Sequence, residues 1–143
     1  MAGNRTGYLF GVFDVLTVQH LDLVRQAAAR CDALVVGVAD DILVRAGGSG
    51  APLVPEQERR AIVAALRGVA CAVPLADDDV IAAAQDAGAQ MVFACADGEL
   101  LGDVPALERR GIRLGLQVVR LVPARRSRAG FAGIRPVSGE AVA

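Results

Sequence analysis

The sequence predicts an open, mostly parallel five-stranded α/β sheet with helices on both faces, and three observations carry that prediction. Short apolar runs rich in Val, each too short for a helix, recur along the chain. Between them lie segments whose apolar residues return at helical spacing. Trp is absent and aromatic residues make up only 3% of the chain, so the core must be built from Val, Leu, Ile and Ala, as in a parallel sheet under Ala-rich helices. At 143 residues one core suffices, since a chain of this size buries roughly 68–70% of its unfolded surface. Residues 1–143 are therefore read as one domain.

The first strand is the apolar run Tyr8 to Phe10. Leu21, Val24, Ala27, Ala28 and Cys31 then recur at helical spacing, with Asp22, Arg25, Gln26 and Arg30 on other faces, which gives the first helix. Ala33 to Val38 is the second strand and completes a strand–helix–strand unit. Asp40 and Asp41 open a long connection whose portion Arg45 to Pro52 is too Gly-rich for regular structure and reads as a surface loop. Val54, Pro55 and Glu56 start the next helix, because Pro is pre-set for a first turn and Glu suits the positive end of the dipole. Ile62, Ala65 and Leu66 are its expected buried face, and Gly68 its stop.

Val69 to Val73 forms a third strand that ends at Pro74. Asp77, Asp78 and Asp79 supply an N-cap and favourable charge for a helix ending near Gly88. Met91 to Cys95 is the fourth strand. A loop and a short helix from Pro105 follow, then a fifth strand from Leu116 to Val122. The last twenty or so residues carry abundant Gly, Pro and Arg without a period and are expected to be irregular. Ligands of such folds bind beyond the carboxyl ends of the strands, where strand order changes direction.

Composition excludes several functions. The formal net charge is −1, which argues against non-specific binding of nucleic acid or of a membrane surface. All 15 basic residues are Arg, whose guanidinium is always charged and grips phosphate oxygens in pairs, so local anion sites remain available. Cys31, Cys71 and Cys95 are odd in number and widely spaced, which fits buried thiols and neither a disulfide framework nor a CxxC metal site. The opening MAGNRTGYLF lacks the apolar core of a secretory signal, and no apolar run reaches membrane-spanning length. The expected location is the cytoplasm.

The stretch GVFDVLTVQH, Gly11 to His20, joins the first strand to the first helix and holds the chain's one histidine. A strand end, a short turn and a helix start together place unpaired N–H groups and positive partial charge where an anion binds. Taken with LVVGVADD and PEQERRAIVAALRGVACAVP, this stretch resembles the cytidylyltransferase-like nucleotidyltransferases, nearest to the bacterial glycerol-3-phosphate cytidylyltransferases. That family opens with GTFDxxHxGH, and its later Glu-Arg and Arg-x-Val pattern matches Glu58, Arg59, Arg67, Val69, Val73 and Pro74. The resemblance spans Gly7 to Val122 and implies a Rossmann-like fold.

The resemblance further implies transfer of CMP from CTP, or of another nucleotide from its NTP, to a small phosphorylated or phosphonate acceptor, with Mg²⁺ as cofactor and pyrophosphate leaving. Such a reaction needs donors and positive charge around the phosphate oxygens. The resemblance assigns catalytic positions to Thr17, His20 and Arg59, and nucleotide-binding positions to Gly11, Phe13, Asp14, Gln19, Arg45 and Asp97; Arg125, Arg126, Ser127 and Arg128 stand in a segment with no residue-by-residue match to the family and are further candidates for nucleotide binding, as donors able to reach phosphates from that side. No residue is assigned to metal. Asp14 has a second reading, in which it fixes its own turn by accepting local N–H bonds. For His20 the alternative is a helix cap satisfied by nearby backbone, for Arg59 a solvent-facing charge, and for Arg125, Arg126 and Arg128 a solvated basic turn.

Two departures from the motif matter. Thr17 stands where the family has its first His, and Gln19 where it has Gly. A neutral Thr hydroxyl makes a bond roughly half as strong as a charge-assisted one. The competing expectation is therefore a nucleotide-binding or interaction protein that keeps the fold without the chemistry. The resemblance also implies a homodimer through the region Arg67 to Pro74.

Overall fold

The computed structural model describes residues 4–48, 50–95 and 104–124. The strands are β1 (Thr6–Gly11), β2 (Ala33–Ala39), β3 (Cys71–Leu75), β4 (Met91–Cys95) and β5 (Gln117–Leu121). The helices are α1 (Val18–Ala28), α2 (Asp41–Ala46), α3 (Glu56–Ala64), α4 (Val80–Asp86) and α5 (Val104–Leu114). The five strands form one sheet in the order β3-β2-β1-β4-β5, and every neighbouring pair is parallel. The chain works outward from β1 to β3 and then crosses back to β4, so the switch in direction falls between β1 and β4. This is the α/β, Rossmann-like architecture expected, and the sheet is parallel throughout.

Two apolar layers cover the two faces. On one, Leu23, Val24 and Ala27 of α1 and Val63 of α3 pack on Leu9, Leu34, Val36, Val38 and Phe93. On the other, Val80, Ile81 and Ala84 of α4, with Leu107 of α5 at the margin, pack on Tyr8, Val35 and Val92. The scarcity of large side chains makes small ones structural. A Cβ at Gly37 would overlap the Tyr8 hydroxyl, so β2 keeps Gly there to make room for the ring. That hydroxyl is buried without a hydrogen-bond partner among the described residues, and burial, followed by the charge of Asp77, pushes its pKa up to about 12.

The structure corrects several expectations, among them that of buried thiols, since Cys71 is exposed and Cys31 and Cys95 are only partly buried. The connection after β2 is not wholly loop, because Asp41–Ala46 forms a helix capped by Asp40, whose carboxylate accepts from the Leu43 N–H at 2.7 Å. Pro74 does not end β3 but pairs with Val38 inside it, which an edge strand tolerates because one side of it needs no ladder donors. Pro55 is the N-cap of α3 and not its first helical residue. The buried face of α3 is Arg59 and Val63 with Leu66 beside them, whereas Ile62 is 49% exposed and Ala65 is exposed. Arg59, Val63 and Leu66 are themselves one helical stripe, rotated from the expected set of Ile62, Ala65 and Leu66.

Candidate functional site

The site is built where β1 ends. Gly11 closes the strand, and the chain then turns through Val12 and Phe13, whose φ of 55° lies in the left-handed region that a bulky residue seldom adopts. The Phe13 ring folds back over the strand end: a Cβ at Gly11 would sit 3.0 Å from Phe13 Cε2. Gly11 is thus the residue that lets Phe13 occupy this place, and Phe13 is buried there. The same ring meets His20, with centroids 5.6 Å apart and ring planes tilted by 53°.

Thr17 is the N-cap of α1. Its Oγ1 accepts from the Gln19 N–H at 3.2 Å, and its own N–H donates to His20 Nδ1 at 3.1 Å. This reciprocal arrangement is a capping box in which His20 takes the place usually held by Glu or Gln. The first turn of α1 carries no acidic residue, so no carboxylate competes with an anion for its positive end. The helix-cap reading of His20 is therefore realised at Nδ1.

Asp14 does not brace its own turn. Its two carboxylate oxygens accept from the backbone N–H groups of Leu53 and Val54, both at 2.9 Å, and so tie the β1–α1 connection to the entry of α3. Arg59 completes the tie from the other side. Its Nε donates to the Val54 carbonyl at 2.7 Å, one terminal nitrogen donates to the carbonyls of Val12 and Ala39 at 2.7 and 2.8 Å, and the other pairs with Asp41 at 2.6 Å. Val54 is held at both its N–H and its carbonyl. Arg59 is 1% exposed, which overturns the solvent-facing reading and places its guanidinium against the carboxyl ends of β1 and β2. Here it holds backbone in place and presents no face to a phosphate.

Gln19 lies half-buried in the first turn of α1, beside Thr17 and His20. Arg45 is exposed in the last turn of α2. Asp97, Arg125, Arg126, Ser127 and Arg128 lie outside the described residues. Sequence reasoning missed Asp41, the ion-pair partner of Arg59, and the three carbonyls at Val12, Ala39 and Val54. Backbone acceptors leave no mark in a sequence, but the stripe of residues 59, 63 and 66 could have revealed the burial of Arg59.

A cleft of about 350 Å³ opens between the starts of α2 and α3, lined by Asp40, Asp41, Ile42, Pro55, Glu56 and Gln57. None of the residues assigned from the sequence lines it, and its three carboxylates repel phosphate, so the β1–α1 turn is the better anion site. Those carboxylates are also engaged, with Leu43 N–H, Arg59 and Arg60 respectively. Among the described residues no group of three or more His, Cys, Asp or Glu is placed to hold a metal ion. The described residues thus offer no ready-made cage for Mg²⁺. No helix among the described residues is long and apolar enough to cross a membrane.

The comparisons with known proteins agree with this geometry. Over 77 residues, 53% of this chain, the sequence is 42% identical to the bifunctional protein HldE of Acidiphilium cryptum, and over 68 residues it is 43% identical to HldE of Rhodospirillum rubrum. The matched segments cover 16% and 14% of those proteins, so the chain corresponds to a small part of their length. The crystal structure of the lipopolysaccharide core biosynthesis protein from Thermoplasma volcanium superposes with a TM-score of 0.74 over 87% of this chain and all of that one, at 24% identity, which shows a shared fold. The model of the cytidylyltransferase-like family matches residues 8–129, from the first strand through the turn, the cap and all five strands, and the chain belongs to that family.

Proposed function

We propose that the chain is a nucleotidyltransferase that moves CMP from CTP to a small phosphorylated or phosphonate acceptor, releasing pyrophosphate. The observation that carries this reading is the Thr17–His20 cap at the carboxyl end of β1, in a chain matched to the family from residue 8 to residue 129. The α-phosphate would lie at the start of α1, where the helix dipole and the His20 ring stabilise charge on the phosphoryl oxygens. An acceptor phosphate is already a nucleophile and needs little general-base help. Mg²⁺, if used, would be carried chiefly by the triphosphate itself, as that ion usually is. The chain's own part is to orient the donor and to hold the turn rigid through Asp14 and Arg59.

The test is pyrophosphate release with each NTP in turn, Mg²⁺, and a panel of sugar, polyol and amine phosphates and phosphonates. Turnover with CTP and one acceptor, lost in His20→Ala, is the expected result. A second reading is favoured by one observation: Arg59, assigned to phosphate, is enclosed by backbone carbonyls and Asp41. In that reading the chain binds nucleotide without turnover, and saturable CTP binding with no pyrophosphate release would establish it. The expected homodimer contact, Arg67 to Pro74, runs from the connection after α3 into β3, an edge strand, and light scattering at micromolar concentration tests it.

A further inference from the structure

We propose that the Thr17 hydroxyl is an internal competitor for the anion site, so that a nucleotide phosphate settles at the start of α1 only by displacing it. The inference rests on the phosphate-binding part of the reading above and not on turnover. The first four N–H groups of a helix have no partner within it, and here they belong to Thr17, Val18, Gln19 and His20, the first bond inside α1 being that from the Leu21 N–H to the Thr17 carbonyl. Thr17 Oγ1 accepts from the Gln19 N–H at 3.2 Å and, in the capping box, from the His20 N–H as well. The Thr17 N–H donates to His20 Nδ1 at 3.1 Å. Three of the four donors that would meet an anion are thus already bonded within the turn.

One side-chain oxygen therefore stands where a phosphate oxygen would. It can be displaced, because the hydroxyl is neutral and an N–H bond to a charged oxygen is roughly twice as strong. Rotation of Thr17 about χ1 from one staggered position to another withdraws Oγ1 and releases the Gln19 and His20 N–H groups without moving the helix. The bond from the Thr17 N–H to Nδ1 involves backbone and ring alone, so that rotation leaves it in place. The Oγ1 cap stabilises the free chain and is lost in the complex, and a contact present only in the unbound state lowers the apparent affinity by its own free energy. Since the first turn carries no acidic residue, the hydroxyl is the competitor within it.

The test is titration calorimetry of the full chain with CTP and with inorganic tripolyphosphate, beside thermal unfolding without ligand. Thr17→Ala removes the competitor and keeps every backbone donor. It should bind both probes about three- to tenfold more tightly than the parent, the ratio that corresponds to one N-cap, while its Tm falls. Thr17→Gly, which suits an N-cap without a side chain, should tighten binding likewise with a smaller fall in Tm. Thr17→Ser keeps the hydroxyl and should return both readings to those of the parent. Asp79→Ala removes the cap of α4 and should lower Tm without tightening either probe, which separates competition from general destabilisation. Equal binding by parent and Thr17→Ala overturns the proposal; weaker binding by Thr17→Ala overturns it too, and would mean that the hydroxyl donates to phosphate. Binding of neither probe by either chain overturns it together with the phosphate site. Tighter binding by Thr17→Ala with no pyrophosphate release on any acceptor would sink the transferase reading and leave the competitor standing, whereas turnover in the parent without that tightening would do the reverse.

Discussion

The two flanks of the sheet hold their charges in different ways. At the carboxyl ends of β1 and β2, Arg59 and Asp14 reach across the chain to backbone groups 20 to 47 residues away, and Arg59 is enclosed. On the α4–α5 flank, Arg110 pairs with Asp79, and Arg120 with Glu108, through side chains that are each between 34% and 50% exposed. A buried guanidinium must have every carbonyl and carboxylate it meets in place, because an unmet partner in low dielectric is costly. A solvated pair can open at little cost. The first kind of contact fixes the turn that carries His20, and the second trims a surface.

Removing the enclosed charge should have the largest effect. Arg59→Met leaves the carbonyls of Val12, Ala39 and Val54 and the Asp41 carboxylate without their donor, and is expected to cost about 3–5 kcal/mol in denaturant unfolding. Arg59→Lys should recover little, since one ammonium cannot reproduce the fork. A loss under about 1 kcal/mol would show that the two flanks do not differ. Next comes Asp14→Ala, which frees the N–H groups of Leu53 and Val54; a loss of about 1.5–3 kcal/mol is expected, together with faster hydrogen exchange at those two amides.

Arg110→Ala should be the mildest, at about 0.2–1 kcal/mol, because its partner is largely solvated. Its pH dependence sharpens the contrast. The hydrogen bond from Arg110 holds the Asp79 carboxyl below its ordinary value, so this contribution is present above the ordinary carboxylate range and is lost as pH falls through the depressed folded value. Parent and variant should therefore converge in strong acid. Their difference persisting there would mean that Arg110 acts through packing and not through the ion pair.

Much of this fold was legible because strands buried on both faces read as unbroken apolar runs. Met91 to Cys95 was bounded correctly at both ends, and Ala33 to Val38 missed only Ala39. What could not be read were features set by distant backbone. Asp41–Ala46 offers fewer than two turns, too little for a period, and only its cap at Asp40 marked it. Arg59 was expected at phosphate or in solvent, since nothing local to it announces the carbonyls of Val12 and Ala39. At the candidate site, the sequence located the anion-ready turn and its histidine, but the capping bond between Thr17 and His20 needed the geometry of the turn. Pro74 reads as a strand end in the sequence, because its position at the edge of the sheet is a fact of topology alone.

In the proposed transferase the β1–α1 turn separates two duties, with Asp14 and Arg59 holding it and His20 acting on the nucleotide. The direct measurement is pyrophosphate release and unfolding free energy, side by side, for the parent chain and His20→Ala. A loss of roughly a hundredfold or more in turnover is expected, with a stability change of about 1 kcal/mol, that of one helix cap. Equal turnover in the two proteins, or a loss of activity that only follows unfolding, would contradict it.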